Sequence, residues 1–390
     1  MQDPRPTPLP DPTLAGPVIV GMSGGVDSAV AALLLQRAGY AVQGLFMSNW
    51  EDDDDAYCTA AADFQDARLT CETLGIALHR VSFAEQYRER VFKFFLREYA
   101  AGRTPNPDVL CNREIKFGVC LDYMQRLGAS WIATGHYARL QQGPAGPQLL
   151  KAADAAKDQS YFLHAVGEAA LRKTLFPIGE LQKAQVRQLA HAAGLPVYDK
   201  PDSTGICFIG ERPFQEFLSR YLRTEAGPIE TDGGLVLGEH RGLALYTLGQ
   251  RSGIGIGGRA GAAAAPWYVA GKDTERNALI VVQDQDHPLL LSDAFEVEQI
   301  HWLDSRGAEA PIECAVKTRY RQNDLDCEVR PDGRVTLRRP ARAVTPGQYA
   351  VFYNGARCLG GGVIARRFNS RRGAQAGGIA YNSQFSVEGS

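Results

Sequence analysis

The segment Gly21-Met22-Ser23-Gly24-Gly25-Val26-Asp27-Ser28 constrains the fold of this chain more than any other stretch. It follows the apolar run 18–22 (VIVGM) and opens a helical pattern over 28–38. Glycine lets the backbone pass close to a ligand and adopt positive φ. The exposed N–H groups and the helix N-terminus then form an anion cradle, with Ser23 and Ser28 as hydroxyl donors. Asp27 is too acidic to favour phosphate directly, so it is expected to cap the turn or to help bind a metal. Glycines, two serines and an aspartate directly after an apolar strand are more than a tight strand-to-helix turn requires. The loop is not a Walker motif, because no GxxxxGK[ST] occurs in the chain. One formal G-x-G-x-x-G exists, Gly253 to Gly258, but it opens no helix inside a βαβ unit and reads as a loop.

The first third of the chain continues the rhythm that this loop begins. Short β-rich runs at 42–47, 78–83 and 131–136 alternate with helical patterns at 56–74, 84–99 and 114–127. This predicts an α/β unit with a parallel sheet wrapped by helices and its ligand edge at the strand C-termini. Residues 141–148 read as a hairpin turn, and 180–193 as one amphipathic helix. From about residue 230, strands recur at short spacing with turns such as Asp232-Gly233 and Asn354-Gly355, which predicts small β domains and a terminal barrel. A length of 390 residues fits two or three domains.

Composition bounds the function classes. Apolar residues at 45% and charged residues at 22% exclude wholesale disorder. No apolar run reaches the roughly 18 residues of a membrane span. The N-terminus carries five prolines before residue 13 and no apolar core, which excludes a secretory signal and predicts a disordered arm. The eight cysteines are scattered with no CxxC pair, which argues against a disulfide framework or zinc site and for a reducing cytoplasm. Net charge is −2, yet residues 333–387 hold nine arginines and no Lys, Asp or Glu, which suits either a polyanion partner or a solvated basic surface.

Two cysteines stand in conformationally special loops. Cys111 follows Thr104-Pro105-Asn106-Pro107-Asp108, where two prolines predict a stiff approach and a helix is expected just after the thiol. A helix N-terminus with Arg113 and Lys116 nearby would favour its thiolate, and Asp108 could orient a polar substrate or move a proton. Cys207 lies in Lys200-Pro201-Asp202-Ser203-Thr204-Gly205-Ile206-Cys207. Either thiol alone would read as a small buried hydrophobe, but the two together suggest a pair that acts jointly. Cys58, Cys71, Cys120, Cys314, Cys327 and Cys358 are assigned to packing.

The SGGxDS loop resembles that of the ATP pyrophosphatases, the PP-loop superfamily. The chain as a whole resembles the bacterial tRNA-specific 2-thiouridylases. The resemblance is carried by GMSGGVDSAVAA (21–32), TPNPDVLCNREIKFG (104–118), ATGHYAR (133–139), KDQSYFL (157–163), FPIGELQKAQVRQLA (176–190), KPDSTGICFIGER (200–212), LGQRSGIGIGG (248–258), WYVAGKD (267–273) and RYRQ (319–322). It implies an arm at 1–16, an adenine nucleotide alpha hydrolase-like catalytic domain at 17–205, a central domain at 206–280, a tRNA-binding β-barrel at 281–368 and a mobile tail at 369–390. It also implies a reaction. ATP, with Mg²⁺ held mainly by phosphate oxygens and water, adenylates the C2 oxygen of a wobble uridine. A sulfur-relay partner loads a persulfide on Cys207, and Cys111 is the nucleophile that releases the sulfur. By matching positions, Gly21, Met22, Ser23, Gly24, Gly25, Val26, Asp27, Ser28, Met47 and Gly135 would contact ATP. Asn106, Pro107 and Asp108 would meet the target base, with Asp108 catalytic. Lys157, Asp158, Gln159, Arg319 and Tyr320 would touch tRNA. His136 is read as structural, and the acidic run Glu51–Asp55 falls after Met47 with no assigned role.

Two competing readings differ in their demands. A PP-loop enzyme that adenylates a small molecule for an amine nucleophile needs neither a loop cysteine pair nor a basic β module. An RNA-binding or chaperone protein with a vestigial nucleotide loop would tolerate loss of both Cys111 and Cys207.

Overall fold

The computed structural model describes residues 11, 16–50, 60–144, 146–202, 214–222, 224–256, 265–303 and 309–369. Cys207, Cys58, Glu51–Asp55 and Arg371–Arg372 therefore lie outside the described residues, as do nearly all of the arm and tail.

Strand β1 (Val18–Gly21) leads through the glycine loop into helix α1 (Val26–Arg37). The helix is apolar on nearly all sides, and eight of its positions from Val26 to Leu35 are buried. A helix of that composition needs cover all round. It receives it from the sheet and from the helix Lys183–Ala192. Strand β2 (Val42–Ser48), helix α2 (Ala60–Leu74), strand β3 (Leu78–Ser82), strand β4 (Trp131–Thr134) and the short β7 (Thr174–Leu175) complete a parallel sheet in the order β3-β2-β1-β4-β7. The reversal of order at β1 makes a switch point, where a ligand crevice is expected. Gly21 is level with Leu45 on one side and Thr134 on the other. The register thus brings the glycine loop, Met47 and Gly135 to the same sheet edge.

Between β4 and β7 the chain leaves this sheet. β5 (Ala138–Gly143) and β6 (Gly146–Lys151) form the hairpin that the glycine–proline turn predicts. β6 then pairs with the strand Arg357–Phe368 through Leu150 and Arg357, and the Lys151 amide donates to the Ala356 carbonyl at 2.8 Å. The C-terminal sheet has eight strands, two of them lent by the hairpin, and the strand Leu291–Trp302 closes it by pairing with both Arg334–Arg342 and Arg357–Phe368. A separate four-stranded sheet of Gly227–Thr231, Val236–His240, Tyr268–Asp273 and Ala278–Val282 lies between the two in sequence.

One sequence expectation fails in this region. Helix does not begin after Cys111 but at Pro107, running through Pro107–Leu110 into the wider turns of Cys111–Val119 and on through Cys120–Arg126. The Asn106 side chain caps this start by accepting the Asp108 amide at 3.1 Å, and proline fills the first helical position. Proline is suited to that place because its missing N–H would go unused there.

Candidate active site

The glycine loop is held from within and from behind. Ser28 Oγ donates to the Gly25 carbonyl at 3.0 Å, accepts the Ser23 amide at 3.1 Å and lies 3.2 Å from Ser23 Oγ. Gly24 has φ +75°, and a Cβ there would stand 2.3 Å from the Asp63 carbonyl oxygen. Gly135 closes the other side, since its Cβ would fall 2.5 Å from the Ser28 amide nitrogen. Met22 is buried, and Met47 packs half-buried on the next strand.

Asp27 does not cap α1, whose N-cap is Gly25 with no side-chain hydrogen bond. Its carboxylate instead accepts Lys183 Nζ on both oxygens, at 2.7 and 2.8 Å, and the Tyr137 hydroxyl at 2.8 Å. Burial, then the Asp27 charge, keep the Tyr137 phenol protonated far above its ordinary range. Lys183 also reaches Asp202 at 2.7 Å, and Asp202 is shared with Lys157 at 2.6 Å and Arg187 at 3.2 Å. Burial opposes ionisation of Asp202, but the hydrogen bonds from Lys157 and Lys183 outweigh it and bring the carboxyl down to about 2. Lys200 Nζ holds the Gly24 carbonyl at 3.0 Å and pairs with Asp63 and Asp66. Lys183 and Lys200 therefore touch the loop directly, and Lys157 and Arg187 join the cluster through Asp202; each of the four is paired with an aspartate. Sequence reasoning assigned no role to Lys183, Arg187, Lys200, Tyr137 or Asp202. Four of them lie in the FPIGELQKAQVRQLA and KPDSTGICFIGER segments, but their spacing gives no sign that they meet residue 27.

The second cluster surrounds Cys111. The thiol is 3% exposed and lies one helical turn into the capped segment, among Val109, Leu110 and Ile115. Burial raises the Asp108 carboxyl above its ordinary value, with the nearby Lys116 charge acting against it. A carboxyl so placed is suited to hold or pass a proton. Next to the thiol, Asn112 is buried and donates Nδ2 to the Phe162 carbonyl at 3.2 Å.

The comparisons with known proteins agree over residues 16–364. The family model described as tRNA methyl transferase HUP domain matches residues 16–211. The tRNA methyl transferase PRC-barrel domain matches 215–283, and the aminomethyltransferase beta-barrel domain matches 292–364. A tRNA-specific 2-thiouridylase of Tolumonas auensis is 55% identical over 90% of this chain and 97% of its own length. That of Methylococcus capsulatus is 56% identical over 92% and 99%. The chain belongs to the tRNA-specific 2-thiouridylase family. Among solved structures, the NMN synthetase of Francisella tularensis aligns with a TM-score of 0.32 at 20% identity, over 52% of this chain and 73% of that one, too low a likeness to bear on function.

In this member of the thiouridylase family, the segments expected to meet RNA converge. Tyr320 lies against Phe162 with ring centroids 4.4 Å apart, joining the barrel to the segment that follows Lys157-Asp158-Gln159. Asp158 itself is 5% exposed and turned inward. It accepts the Ala152 and Ser160 amides and the Ser160 hydroxyl, with Lys317 Nζ at 3.7 Å. Gln159 accepts the Tyr137 amide at 2.9 Å. Arg319 is the exposed cation of the set, whereas the half-buried Lys157 is held by Asp202. His136 is a buried neutral imidazole. Burial, then Lys116, push it well below its ordinary value, and it packs between Phe117 and Phe176.

The C-terminal arginines are only in part a free basic surface. Arg334 and Arg366 pair with Glu296, Arg338 pairs with Glu313, and Arg367 donates to the Ala270 carbonyl at 2.9 Å. The described cysteines outside the site are buried or half-buried. Burial pushes the Cys71 thiol up to about 11, and those of Cys120 and Cys358 up to about 12. Among the described residues, no group of three or more His, Cys, Asp or Glu side chains could hold a metal ion, and no helix is long and apolar enough to cross a membrane.

Proposed function

We propose that this protein is an ATP-dependent tRNA-uridine 2-sulfurtransferase acting on the wobble uridine of the anticodon loop. The observation that carries the reading is the Gly21–Ser28 cradle held by Lys183 and Lys200, with Lys157 and Arg187 linked to it through Asp202, in a chain that also carries Cys111 on a capped helix.

The C2 carbonyl of a base is a poor electrophile, so its oxygen must first become a leaving group. The cradle would hold the β- and γ-phosphates of ATP while the base oxygen attacks the α-phosphate, giving adenylated uridine and pyrophosphate. The backbone amides and the surrounding cations stabilise the charge that develops on the leaving group. Mg²⁺, held by phosphate oxygens and water, supplies further charge neutralisation when bound. Asn106, Pro107 and Asp108 would seat the flipped base, as recognition of unpaired RNA loops permits. Asp108, raised by burial, can hand over or take up the proton that the base must exchange. Sulfur arrives from a relay protein as a persulfide on Cys207. Attack by Cys111 Sγ on Cys207 Sγ breaks the S–S bond to the terminal sulfur, forms a Cys111–Cys207 disulfide and releases hydrosulfide. The hydrosulfide displaces AMP from C2, and an external thiol reduces the disulfide. Lys157, Asp158, Gln159, Arg319 and Tyr320 would line the RNA path, Asp158 by shaping the turn from inside. The domain limits given by the resemblance belong to the same proposal, as does a cytoplasmic location.

The test is mass spectrometry of nucleosides from unmodified tRNA incubated with the protein, Mg·ATP and a sulfide or persulfide source. Exchange of oxygen for sulfur on uridine is expected, dependent on ATP and abolished by Cys111→Ser. Undiminished thiolation by both Cys111→Ser and Cys207→Ser would refute the sulfur chemistry. Failure to form AMP with any tRNA would return the assignment to small-molecule adenylation.

A further inference from the structure

The residues that lead into the Asn106–Cys111 helix are fixed by parts of the chain far away in sequence. Lys272, on the strand Tyr268–Asp273 of the central sheet, is 3% exposed and donates Nζ to the Gly102 carbonyl at 3.0 Å. Two residues on, Thr104 is also buried. Its amide donates to the Pro346 carbonyl at 3.0 Å, and its carbonyl accepts Gln348 Nε2 at 2.8 Å. Its hydroxyl lies 3.4 Å from that of Thr247. Gly347 passes so close that a Cβ there would stand 2.7 Å from the Thr104 nitrogen. Arg103, between them, forms a bidentate pair with the buried Glu98 at 2.5 and 2.6 Å. Asn106 caps the active-site helix just beyond.

We propose that Lys272, Thr247 and Gln348 are positioning residues that, with the Pro346–Gly347 turn, clamp Gly102–Thr104 and so fix the placement of Asp108 and Cys111. The inference rests on the reading of those two residues as catalytic. Three backbone polar groups in a three-residue stretch are each satisfied by another domain, although water would satisfy an ordinary surface loop. Burial pushes the Lys272 amine down to about 7, so the fold tolerates a costly desolvation for the sake of this bond. Reacting groups must be held within about 0.5 Å of their working geometry, and loops meet that demand only when supported from outside. The clamp comes from the central domain and the barrel. Catalytic geometry therefore depends on how those two domains seat against the first.

The experiment compares wild type with Gln348→Leu, Lys272→Met and Thr247→Val, with Thr247→Ser as the conservative control. The first measurement is the rate of Cys111 alkylation by iodoacetamide, resolved by peptide mass spectrometry, without tRNA or ATP. Loss of the clamp should raise it about tenfold, as local opening exposes a buried thiol. The second is steady-state thiolation, where kcat should fall about tenfold while tRNA affinity stays within about twofold, since positioning affects the transition state and not the grip on RNA. Thr247→Ser should behave as wild type. Thermal melting identifies any variant that fails to fold, and Gln348→Leu, a half-buried site, serves if Lys272→Met does. Unchanged Cys111 alkylation in folded Gln348→Leu and Thr247→Val would overturn the clamp. Raised alkylation in variants of a protein that never thiolates tRNA would uphold the clamp and refute the assigned reaction.

Discussion

Gly135→Ala is a small substitution with a calculable consequence. Gly135 is absent from the positive-φ positions, so alanine is compatible with its backbone, and the whole effect is contact. The new Cβ would lie 2.5 Å from the Ser28 nitrogen, 2.6 Å from the Asp27 carbonyl carbon and 2.9 Å from the Asp27 oxygen. An ordinary contact begins near 3.4 Å, so the shortest must open by 0.9 Å. All three neighbours are backbone, and no rotamer change can relieve them. Nor can the loop retreat, because Gly24 is backed by the Asp63 carbonyl and its own carbonyl is tethered to Lys200. Overpacking of this kind costs about 1–3 kcal/mol. If the loop moves, about 2 kcal/mol falls on the anion cradle and the KM for ATP rises about thirtyfold. If instead the fold carries the cost, the melting temperature falls by about 2–4 °C per kcal/mol. The assay is pyrophosphate release against ATP concentration, with a melting curve on the same sample. Gly233→Ala, where nothing lies nearer than 3.7 Å, is the control. An ATP KM within about twofold of wild type together with an unchanged melting temperature would refute the placement of Gly135 against the loop.

Lys183→Met removes the ammonium shared by Asp27 and Asp202 and should raise the KM for ATP about tenfold or more with tRNA affinity unchanged; equal ATP kinetics in the variant would remove Lys183 from the nucleotide site. Stability should also fall on mild acidification, because burial holds His164 down to about 4 and His136 well below 6.5. The folded protein keeps both neutral while the unfolded chain takes up protons, so the stabilisation is complete above pH 6.5 and is lost as pH falls from there toward 4, at up to about 1.4 kcal/mol per pH unit for each ring. A urea midpoint that stays level between about pH 7 and 5 would contradict this.

What was legible in the sequence was local. Four of the five strands of the parallel sheet, the hairpin turn and the glycine loop follow from patterns within a few residues, whereas the two-residue β7 leaves no such pattern. The start of the Cys111 helix was legible too, in Asn106-Pro107 as cap and first position, but the two prolines suggested an extended approach instead. What stayed hidden is what distant residues bring. Lys183 reaches Asp27 across 156 positions, and no spacing rule marks that meeting. The basic stretch after residue 333 misleads for the same reason. The glutamates that pair with it, Glu296 and Glu313, come earlier in the chain and enter only through strand pairing. Cys207 lies outside the described residues, so its partnership with Cys111 still rests on the resemblance.

The pairing of these four cations around the glycine loop with aspartates has a consequence for how a nucleotide would bind. Lys183, Lys200, Lys157 and Arg187 face Asp27, Asp63, Asp66 and Asp202, so the cluster is close to neutral. A triphosphate entering the cradle would not meet four free positive charges. It must draw lysines away from carboxylates that already hold them, and its affinity is the difference between the two sets of contacts. Asp202 holds three of the four cations and lies five positions before Cys207. Any exchange of partners at the phosphates would therefore be felt at Asp202, close in sequence to the cysteine proposed to carry sulfur, a coupling that free lysines would not provide.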